Sequence, residues 1–232
     1  MKRLVIIPAR GGSKRIRKKN SKNFYGKPII LYPIQAIKES NLFDKIHVST
    51  DDQRIISIVE KVGVKVDFIR PENLSDDFTP IMPVIKYIVE EYIKINERYD
   101  EVWVIYPCTP FLRANDLIKA SKTMMKSKKD SFLMSVTEYP VPIEWAFQLD
   151  ENEQLQPINK GSFAIRSQDI NKKYFDAGMF YAYSYEVIIN SDYDGVDQNI
   201  IPYFIPKAYT IDIDENEDWE FAEKLFKINN KL

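Results

Sequence analysis

The chain has 232 residues, of which 44% are apolar and 29% charged, a composition that predicts one ordered domain with a substantial core. Its 33 lysines and arginines nearly balance its 34 aspartates and glutamates, which excludes a nucleic-acid binder driven by bulk positive charge. The single cysteine, Cys108, and the single histidine, His47, exclude an internal disulfide framework and a Cys- or His-rich metal site.

Strands and helices alternate along the first half of the chain. Short apolar runs predict buried strands at 4–7, 45–49, 64–69, 102–105 and 132–136. Helical spacing of apolar residues predicts helices at 29–38, at 51–61 with Gly63 as its C-cap, after Thr79-Pro80, and at 114–126. This order predicts right-handed βαβ units, and therefore an α/β fold with a mostly parallel sheet covered on both faces.

The alternation stops between residues 139 and 173, a stretch rich in Pro, Gln, Asn and Asp. Its apolar residues favour ordered hairpins over a disordered linker: Trp145, Phe147, Leu149, Phe163 and Ile165. We expect this inserted segment to pack against a second copy of the chain. A strand at 175–183 and a helix from about residue 215 are predicted to complete a single domain over 1–232.

A basic loop follows the first predicted strand. Two of the chain's seven glycines are adjacent there, at Gly11 and Gly12, and residues 10–27 contain eight Lys or Arg and no Asp or Glu. Ligands of α/β sheets bind at the carboxyl ends of strands, where glycine amides and cations can hold phosphate. The loop matches neither the Walker pattern nor Gly-x-Gly-x-x-Gly, and the alternative is a solvated basic loop. Its position and its lack of acidic residues favour a phosphate site.

The string from Ile7 to Asn20 resembles the signature of the CMP-sialic acid synthetase family, nucleotidyltransferases that activate acidic sugars with CTP. It departs from the usual form at Arg17, where proline is common. The resemblance implies a Rossmann-like three-layer α/β/α nucleotidyltransferase fold. It also implies catalytic roles for Arg10 and Lys19, and a CTP site that includes Ala9, Arg10, Gly11, Gly12, Ser13, Lys19 and Asn20.

Two further segments resemble motifs of the same family. Residues 48–52 match its Ser-Thr-Asp-Asp string, although a helix N-cap at Thr50 or Asp51 explains them equally well. Residues 70–79 resemble its Arg-Pro-x-x-Leu segment, in which Arg70 and Thr79 would contact the cytosine. A salt bridge from Arg70 to Glu72 or Asp76 is the structural alternative.

Two segments resemble the branch of this family that uses pseudaminic acid: Arg166-Ser167-Gln168-Asp169 and Asp176-Ala177-Gly178-Met179-Phe180-Tyr181. The relatives that use N-acetylneuraminate commonly have glutamine at position 106, and the Tyr106-Pro107 form resembles other branches of the family. The resemblance implies a sugar site made by Tyr106, Arg166, Ser167, Gln168, Asp176 and Gly178. A regular strand would place Asp176, Gly178 and Phe180 on one face and offer an apolar wall of Met179, Phe180 and Tyr181. A strand with a glycine bulge is the alternative.

Residues 210–214 alternate apolar and acidic side chains. As a strand, they place the Asp212 and Asp214 carboxylates on one face, about 6.5–7 Å apart at the backbone. Mg²⁺ takes one or two carboxylates together with substrate phosphates and water. Asp214 also suits an N-cap of the last helix, with Glu217 completing a capping box. The family's Asp-x-Asp pair falls at these two positions, which implies that both bind Mg²⁺. The sequence does not identify a general base, for which Asp212 and a water bound to the metal are the candidates.

The reaction implied is the transfer of CMP from CTP to an acidic nine-carbon sugar, with release of pyrophosphate by a homodimer. Pseudaminic acid is the expected sugar, with N-acetylneuraminate, legionaminate and the eight-carbon Kdo as alternatives. A nucleotide-sugar glycosyltransferase and a non-catalytic nucleotide-binding module are the alternatives from other classes. No apolar run reaches the ~20 residues of a membrane span, and the first is too short for a signal peptide. We therefore expect a cytoplasmic protein with no membrane or nucleic-acid partner.

Overall fold

A computed structural model describes residues 1–128, 130–191 and 198–230. The strands, in chain order, are β1 Arg3–Pro8, β2 Asn23–Phe24, β3 Lys27–Pro28, β4 Lys45–Ser49, β5 Glu101–Ile105, β6 Phe132–Glu138, β7 Phe147–Leu149, β8 Leu155–Pro157, β9 Tyr174–Ser184 and β10 Ile200–Phe204. The α-helices are α1 Leu31–Ser40, α2 Gln53–Glu60, α3 Ile81–Lys94, α4 Ala114–Met124, α5 Tyr185–Asn190 and α6 Asn216–Asn230. None of the described helices is long and apolar enough to cross a bilayer.

The central sheet has six strands in the order β10-β6-β9-β5-β1-β4. Strand β1 runs parallel to β4 and β5, and β10 runs parallel to β6. Only β9 is antiparallel to its neighbours, β5 and β6. The carboxyl ends of β1, β4 and β5 therefore meet the start of β9 at one edge, and the loops at that edge carry most of the predicted site.

Helices cover both faces of this sheet. Side chains alternate along β1, so Val5 and Ile7 pack with residues of α1, α2, α4 and α6, and Leu4 and Ile6 pack with residues of α3 and α5. All four of these β1 side chains are fully buried. The predicted three-layer α/β fold with a mostly parallel sheet is confirmed.

Two predicted strands are wrong. Residues 64–69 form no ladder: Val64 is buried in the core on one face and the half-buried Phe68 packs against the core on the other, whereas Ile69 is 57% exposed. Residues 211–214 likewise form no described strand, although Ile213 is buried and Asp212 exposed as alternation predicts. Helix α2 begins later than expected, because the side chain of Asp52 caps it by accepting from Arg54 N at 2.7 Å.

A bulge interrupts β9 beside Gly178, as in the alternative to the regular strand. Tyr181 lies opposite Met134 and Asp176 lies opposite Val136, so residues 177–180 pass the single residue Ser135. The Ser135 hydroxyl accepts from Phe180 N at 3.0 Å, and Gly178 adopts a left-handed φ of +62°. The predicted common face of Asp176, Gly178 and Phe180 is therefore wrong: Phe180 is fully buried, whereas Asp176 is exposed.

The inserted segment 139–173 forms an ordered arm, as its apolar residues predict. Strands β7 and β8 pair as an antiparallel hairpin, and the Phe163 ring lies 5.9 Å from Trp145 and 5.8 Å from Phe147, between centroids. Leu149, Leu155 and Phe163 are each more than 60% exposed. The arm thus has internal order and still presents apolar surface.

The only histidine is buried in β4. His47 Nδ1 lies 3.1 Å from the Tyr92 hydroxyl, which donates to Asp67 Oδ2 at 2.8 Å. Its Nε2 has no hydrogen-bond partner among the described residues. Burial lowers the pKa of His47 to about 4, so the folded protein holds this ring neutral at pH values where an unfolded chain protonates it.

Acid is therefore expected to destabilise the fold through His47. Because the folded pKa lies below the unfolded value of 6.5, the unfolded state binds the proton first as the pH falls through the window from 6.5 to 4. We expect the free energy of unfolding to drop by about 2 kcal/mol between pH 7 and pH 5 from this group alone. Urea titrations of the wild type and His47→Gln at both pH values measure it. An equal pH effect in both proteins would contradict the assignment.

Candidate active site

A cleft of about 630 Å³ opens at the carboxyl ends of β1 and β5. It is bounded by the basic loop, the loop after β5, the bulge in β9 and the segment before α6. The predicted site residues that line it are Arg10, Ser13, Lys19, Asn20, Tyr106, Asp176, Gly178, Asp212 and Asp214. Residues separated by up to 204 positions in the sequence thus meet in one cleft.

Short backbone contacts fix the path of the basic loop. Ala9 N donates to Ser49 O at 2.8 Å, and Gly11 N donates to Asp51 Oδ1 at 2.8 Å, so the loop rests on the end of β4 and the start of α2. The buried Asn20 side chain donates to Arg10 O at 3.0 Å. The predicted phosphate ligand Asn20 therefore holds the loop from inside, with its amide engaged by the protein.

Cys108 supports the same contact. Its thiol donates to Asn20 Oδ1 at 3.3 Å, and burial raises the pKa of the thiol to about 12. A thiol with this pKa carries almost no thiolate near neutral pH. This environment indicates a packed thiol rather than a nucleophile.

The two glycines of the loop differ in their surroundings. A Cβ added to Gly11 would lie 2.9 Å from Asp52 Cβ, whereas a Cβ added to Gly12 would meet no atom within 4 Å. Gly11→Ala is therefore expected to destabilise the protein by about 1–3 kcal/mol, because the overlap falls on the residue that caps α2. Gly12→Ala is the matched control and should stay within about 0.5 kcal/mol of the wild type in thermal or urea unfolding. Equal stability of the two variants would contradict this view of the loop.

Acidic residues from distant segments neutralise the basic loop. Arg10 Nη1 lies 2.7 Å from Asp77 Oδ1, and Lys14 pairs with the other oxygen of the same carboxylate. Arg15 Nη2 lies 2.8 Å from Asp214 Oδ2. Arg10, Lys14 and Arg15 therefore have acidic partners although the loop itself contains none, and the expectation that the loop cations lack such partners is wrong for these three.

Lys19 connects the basic loop to the acidic side of the cleft. Its Nζ donates to Ile213 O at 2.6 Å and to Asp214 Oδ1 at 3.1 Å. Burial alone would raise the pKa of Asp214, but the hydrogen bonds and charges of Lys19 and Arg15 lower it overall. Lys19 is thus a largely buried cation, held by two acceptors at the centre of the cleft.

Asp212, unlike Asp214, has no cationic partner among the described residues. Its side chain makes no hydrogen bond or ion pair with the residues that the structure describes. Burial raises the pKa of Asp212, the charge of Asp214 raises it further, and Lys19 only partly offsets these effects. A carboxylate with this surplus of negative charge attracts a cation.

The predicted cap of α6 is wrong. Asp218 Oδ2 accepts from Asp214 N at 3.0 Å and from Glu215 N at 2.7 Å, so Asp218, rather than Asp214 with Glu217, satisfies the helix start. The Asp214 carboxylate consequently lines the cleft rather than capping the helix, with its two oxygens paired to Lys19 and Arg15. A Cβ on Gly178 would lie 3.8 Å from Asp212 Cγ, which places the bulge of β9 directly beside these carboxylates.

The donors in the cleft fit a hard divalent cation. The described part of the chain contains no group of three or more His, Cys, Asp or Glu placed to enclose a metal. Two carboxylates, Asp212 and Asp214, instead face a cleft with room for phosphate oxygens and water. Oxygen donors and an open coordination sphere suit Mg²⁺ rather than Zn²⁺.

The predicted cytosine ligands lie outside this cleft. Arg70 is buried, and its Nε donates to Leu74 O at 2.7 Å, so the alternative salt bridge to Glu72 or Asp76 is not formed. Burial lowers the pKa of Arg70, and the nearby charge of Arg10 lowers it further. Thr79 N donates to Asp76 Oδ1 at 2.6 Å, which makes Thr79 part of the turn before α3.

Three predicted sugar ligands also lie outside the cleft of one chain. Arg166, Ser167 and Gln168 are exposed on the arm, where Arg166 Nε pairs with Asp169 Oδ2 at 2.8 Å. The predicted apolar wall is wrong as well, because the bulge buries Met179 and Phe180 in the core.

Sequence reasoning missed some residues of the cleft. Tyr181 donates to Asp176 Oδ2, and its ring meets Tyr106 edge-on at 5.8 Å between centroids. In the sequence, nothing distinguished Tyr181 as a cleft residue from the apolar residues beside it, which are buried in the core. Asp77 and Lys14 also line the cleft, and no sequence signal pairs them, since they belong to separate segments.

Comparisons with known proteins identify the family of this chain. A family model described as cytidylyltransferase matches residues 4–229. A pseudaminic acid cytidylyltransferase of Campylobacter jejuni subsp. jejuni serotype O:2 is 38% identical over 231 residues, covering 100% of this chain and 99% of the relative. An N-acylneuraminate cytidylyltransferase of Escherichia coli O18:K1:H7 is 28% identical over 98% of this chain and 53% of the relative.

Solved structures share the fold. CMP:2-keto-3-deoxy-manno-octonic acid synthetase complexed with CTP has a TM-score of 0.72 at 18% identity, covering 99% of this chain and 100% of that one. The 4-diphosphocytidyl-2C-methyl-D-erythritol synthase of Anaerococcus prevotii has a TM-score of 0.61 at 16% identity, covering 97% and 98%. With its basic loop and carboxylate pair in one cleft, the chain is an α/β nucleotidyltransferase. It belongs to the cytidylyltransferase family.

Proposed function

We propose that this enzyme transfers CMP from CTP to the anomeric hydroxyl of pseudaminic acid and releases pyrophosphate. The observation that carries the transfer is the position of Lys19, a cation between the basic loop and the Asp212–Asp214 pair. The choice of sugar is supported by full-length identity of 38% to two curated pseudaminic acid cytidylyltransferases.

On the nucleotide side, the basic loop binds the triphosphate. Arg10, Ser13 and Lys19 line the cleft, and the loop that carries them is fixed by Ala9, Gly11 and Asn20. The anomeric hydroxyl attacks the α-phosphorus in line, and pyrophosphate leaves. Arg10 and Lys19 stabilise the negative charge that shifts onto the leaving phosphate oxygens. Arg70 and Thr79 contact the cytosine in this proposal.

Asp212 and Asp214 are the residues that would hold Mg²⁺. When bound, the ion neutralises phosphate charge and favours departure of pyrophosphate. Asp212 is our candidate for the group that takes the hydroxyl proton, because its carboxylate lines the cleft and makes no hydrogen bond or ion pair with a described residue.

On the sugar side, Tyr106, Asp176 and Gly178 form the part of the site within one chain. Arg166, Ser167 and Gln168 of the exposed arm reach the sugar bound by the partner subunit in our proposal. This arrangement requires a homodimer, and the apolar surface of the arm, with Leu149 at 67% and Leu155 at 63% exposed, supports one.

The dimer is tested by sedimentation. We expect a species of twice the 27.3 kDa chain mass at micromolar concentration, and Leu155→Asp should shift it toward the monomer because a charge is costly in an apolar contact. Ile228→Asp is the control, since Ile228 is 72% exposed and belongs to α6 rather than to the 139–173 segment. A wild-type protein that sediments only as a 27.3 kDa species would contradict the dimer.

The proposed reaction is tested by pyrophosphate release from CTP with a panel of sugar acids. We expect release only with a nonulosonic acid, and at least roughly tenfold higher kcat/KM for pseudaminic acid than for N-acetylneuraminate. Equal or better efficiency with N-acetylneuraminate, legionaminate or Kdo would overturn the sugar assignment. A glycosyltransferase would instead consume a nucleotide sugar, and a binding module would release no pyrophosphate.

A further inference from the structure

We propose that Asp77 competes with the phosphates of CTP for cations of the basic loop. CTP must displace Asp77 to bind, and its affinity is lower as a result. This inference rests on the proposed function, because it requires that Arg10 and Lys14 face the triphosphate of a nucleotide. It assigns a role to a residue outside the basic loop and outside the Asp212–Asp214 pair.

The carboxylate of Asp77 uses both of its oxygens on the loop. Oδ1 lies 2.7 Å from Arg10 Nη1, and Oδ2 pairs with Lys14 Nζ. The Asp77 side chain is 31% exposed and lines the same cleft as both cations. Two oxygens that each take one cation are also what a phosphate group presents. Asp77 therefore occupies the contacts that a phosphate would use.

Hydrogen bonds within the turn that carries Asp77 hold the turn beside the basic loop. Asp76 Oδ1 accepts from Phe78 N at 2.8 Å and from Thr79 N at 2.6 Å, which closes a tight turn around Asp77. Arg10 also donates to the Asp76 carbonyl, so one guanidinium contacts both the backbone and the carboxylate of the turn. These contacts hold the turn against the basic loop.

Asp77 and a triphosphate cannot both pair with Arg10 and Lys14, because both are negatively charged. Hydrogen bonds from Lys14 and Arg10 hold the pKa of Asp77 below its usual range, so the group is ionised at neutral pH. A triphosphate beside Arg10 and Lys14 would face this carboxylate as a like charge at short range. Binding of CTP therefore separates Asp77 from the loop. The free energy of the lost ion pairs opposes binding, so the measured affinity for CTP is lower than it would be without Asp77.

The test is calorimetric binding of CTP and of inorganic tripolyphosphate to Asp77→Asn. We expect both ligands to bind about three- to tenfold more tightly than to the wild type, because two partly exposed ion pairs no longer compete. Cytidine, which has no phosphate, should bind equally to both proteins. Asp77→Ala should show the same gain, which separates the loss of charge from any effect of the asparagine amide.

Glu72→Gln is the matched control. Glu72 belongs to the same segment and is exposed, and it forms no ion pair within the described residues, so its replacement removes the same charge without releasing a loop cation. It should change the affinity for CTP by less than about twofold. A gain equal to that of Asp77→Asn would overturn the proposal, because net charge alone would then explain both.

Unchanged or weaker CTP binding by Asp77→Asn and Asp77→Ala, with normal binding by the wild type, would also overturn it and leave the proposed function intact. Failure of the wild type itself to bind CTP would overturn both. The two proposals therefore fail by different observations.

Discussion

Lys19→Ala is expected to lower kcat by about 10²–10³-fold, the usual cost of removing a group that stabilises charge in the transition state. Lys19 is largely buried, and its Nζ lies between the basic loop and the acidic side of the cleft, 2.6 Å from Ile213 O and 3.1 Å from Asp214 Oδ1. Alanine removes the largely buried cation that joins the two sides; Arg15, the other loop cation that pairs with Asp214, is 59% exposed. Steady-state pyrophosphate release at saturating CTP and sugar measures the effect.

Arg17→Ala is the control for that experiment. Arg17 is an exposed cation of the same loop, and it does not line the cleft or form an ion pair with a described residue. It should retain kcat within about twofold. Wild-type turnover by folded Lys19→Ala, or an equal loss in Arg17→Ala, would contradict the role assigned to Lys19.

Asp212→Asn is expected to lower kcat/KM by about 10²-fold or more and to raise the Mg²⁺ concentration needed for half-maximal activity. An amide keeps the size of the carboxylate and loses its charge, so a metal held by Asp212 and Asp214 keeps only one charged ligand. A magnesium titration at fixed CTP and sugar separates the two effects. Glu217→Gln, an exposed acid at the start of α6, is the charge-matched control.

The thermal stability of Asp212→Asn should not fall with its activity. The pKa of Asp212 is raised by burial and then by Asp214, so the ionised carboxylate costs folding free energy above its folded pKa, at neutral pH. Removing that charge is therefore expected to leave Tm unchanged or higher. A large fall in Tm, or an unchanged magnesium requirement, would move the metal site to other residues.

The parts of the fold that sequence predicts well depend on local signals. The unbroken apolar run of β1 is buried on both faces, and Gly63 ends α2 with a left-handed φ of +75°, as a C-cap glycine does. The error at 64–69 has the same origin, because an apolar extended segment has the same composition whether it pairs in a sheet or packs at its margin.

Only part of the cleft was predictable as a set of residues, since Arg70, Thr79 and the predicted ligands on the arm lie outside it, and the contacts within it were not predictable. The basic loop and the Asp212–Asp214 pair were found by motif, yet the ion pair between Lys19 and Asp214 joins residues 195 apart and depends on how the loops meet. Asp77 neutralises a loop that has no acidic residue of its own, for the same reason. Charge patterns along a chain do not fix which charges meet in space.

The bulge in β9 shows how one local irregularity changes a site. Four residues pass Ser135, so the two-residue alternation that predicts a common face for Asp176 and Phe180 fails at Gly178. Gly178 was a candidate bulge in the sequence, but only the register with β6 shows that Tyr181, rather than Phe180, accompanies Asp176. The polar and aromatic side of the cleft follows from that register.

The most direct test of the account is identification of the products from CTP and pseudaminic acid with purified enzyme and Mg²⁺. Mass spectrometry and phosphorus NMR should show CMP-pseudaminic acid and pyrophosphate in equal amounts, with no product when either substrate is omitted. Release of orthophosphate, or consumption of CTP without a CMP-sugar, would contradict attack of the sugar hydroxyl on the α-phosphorus.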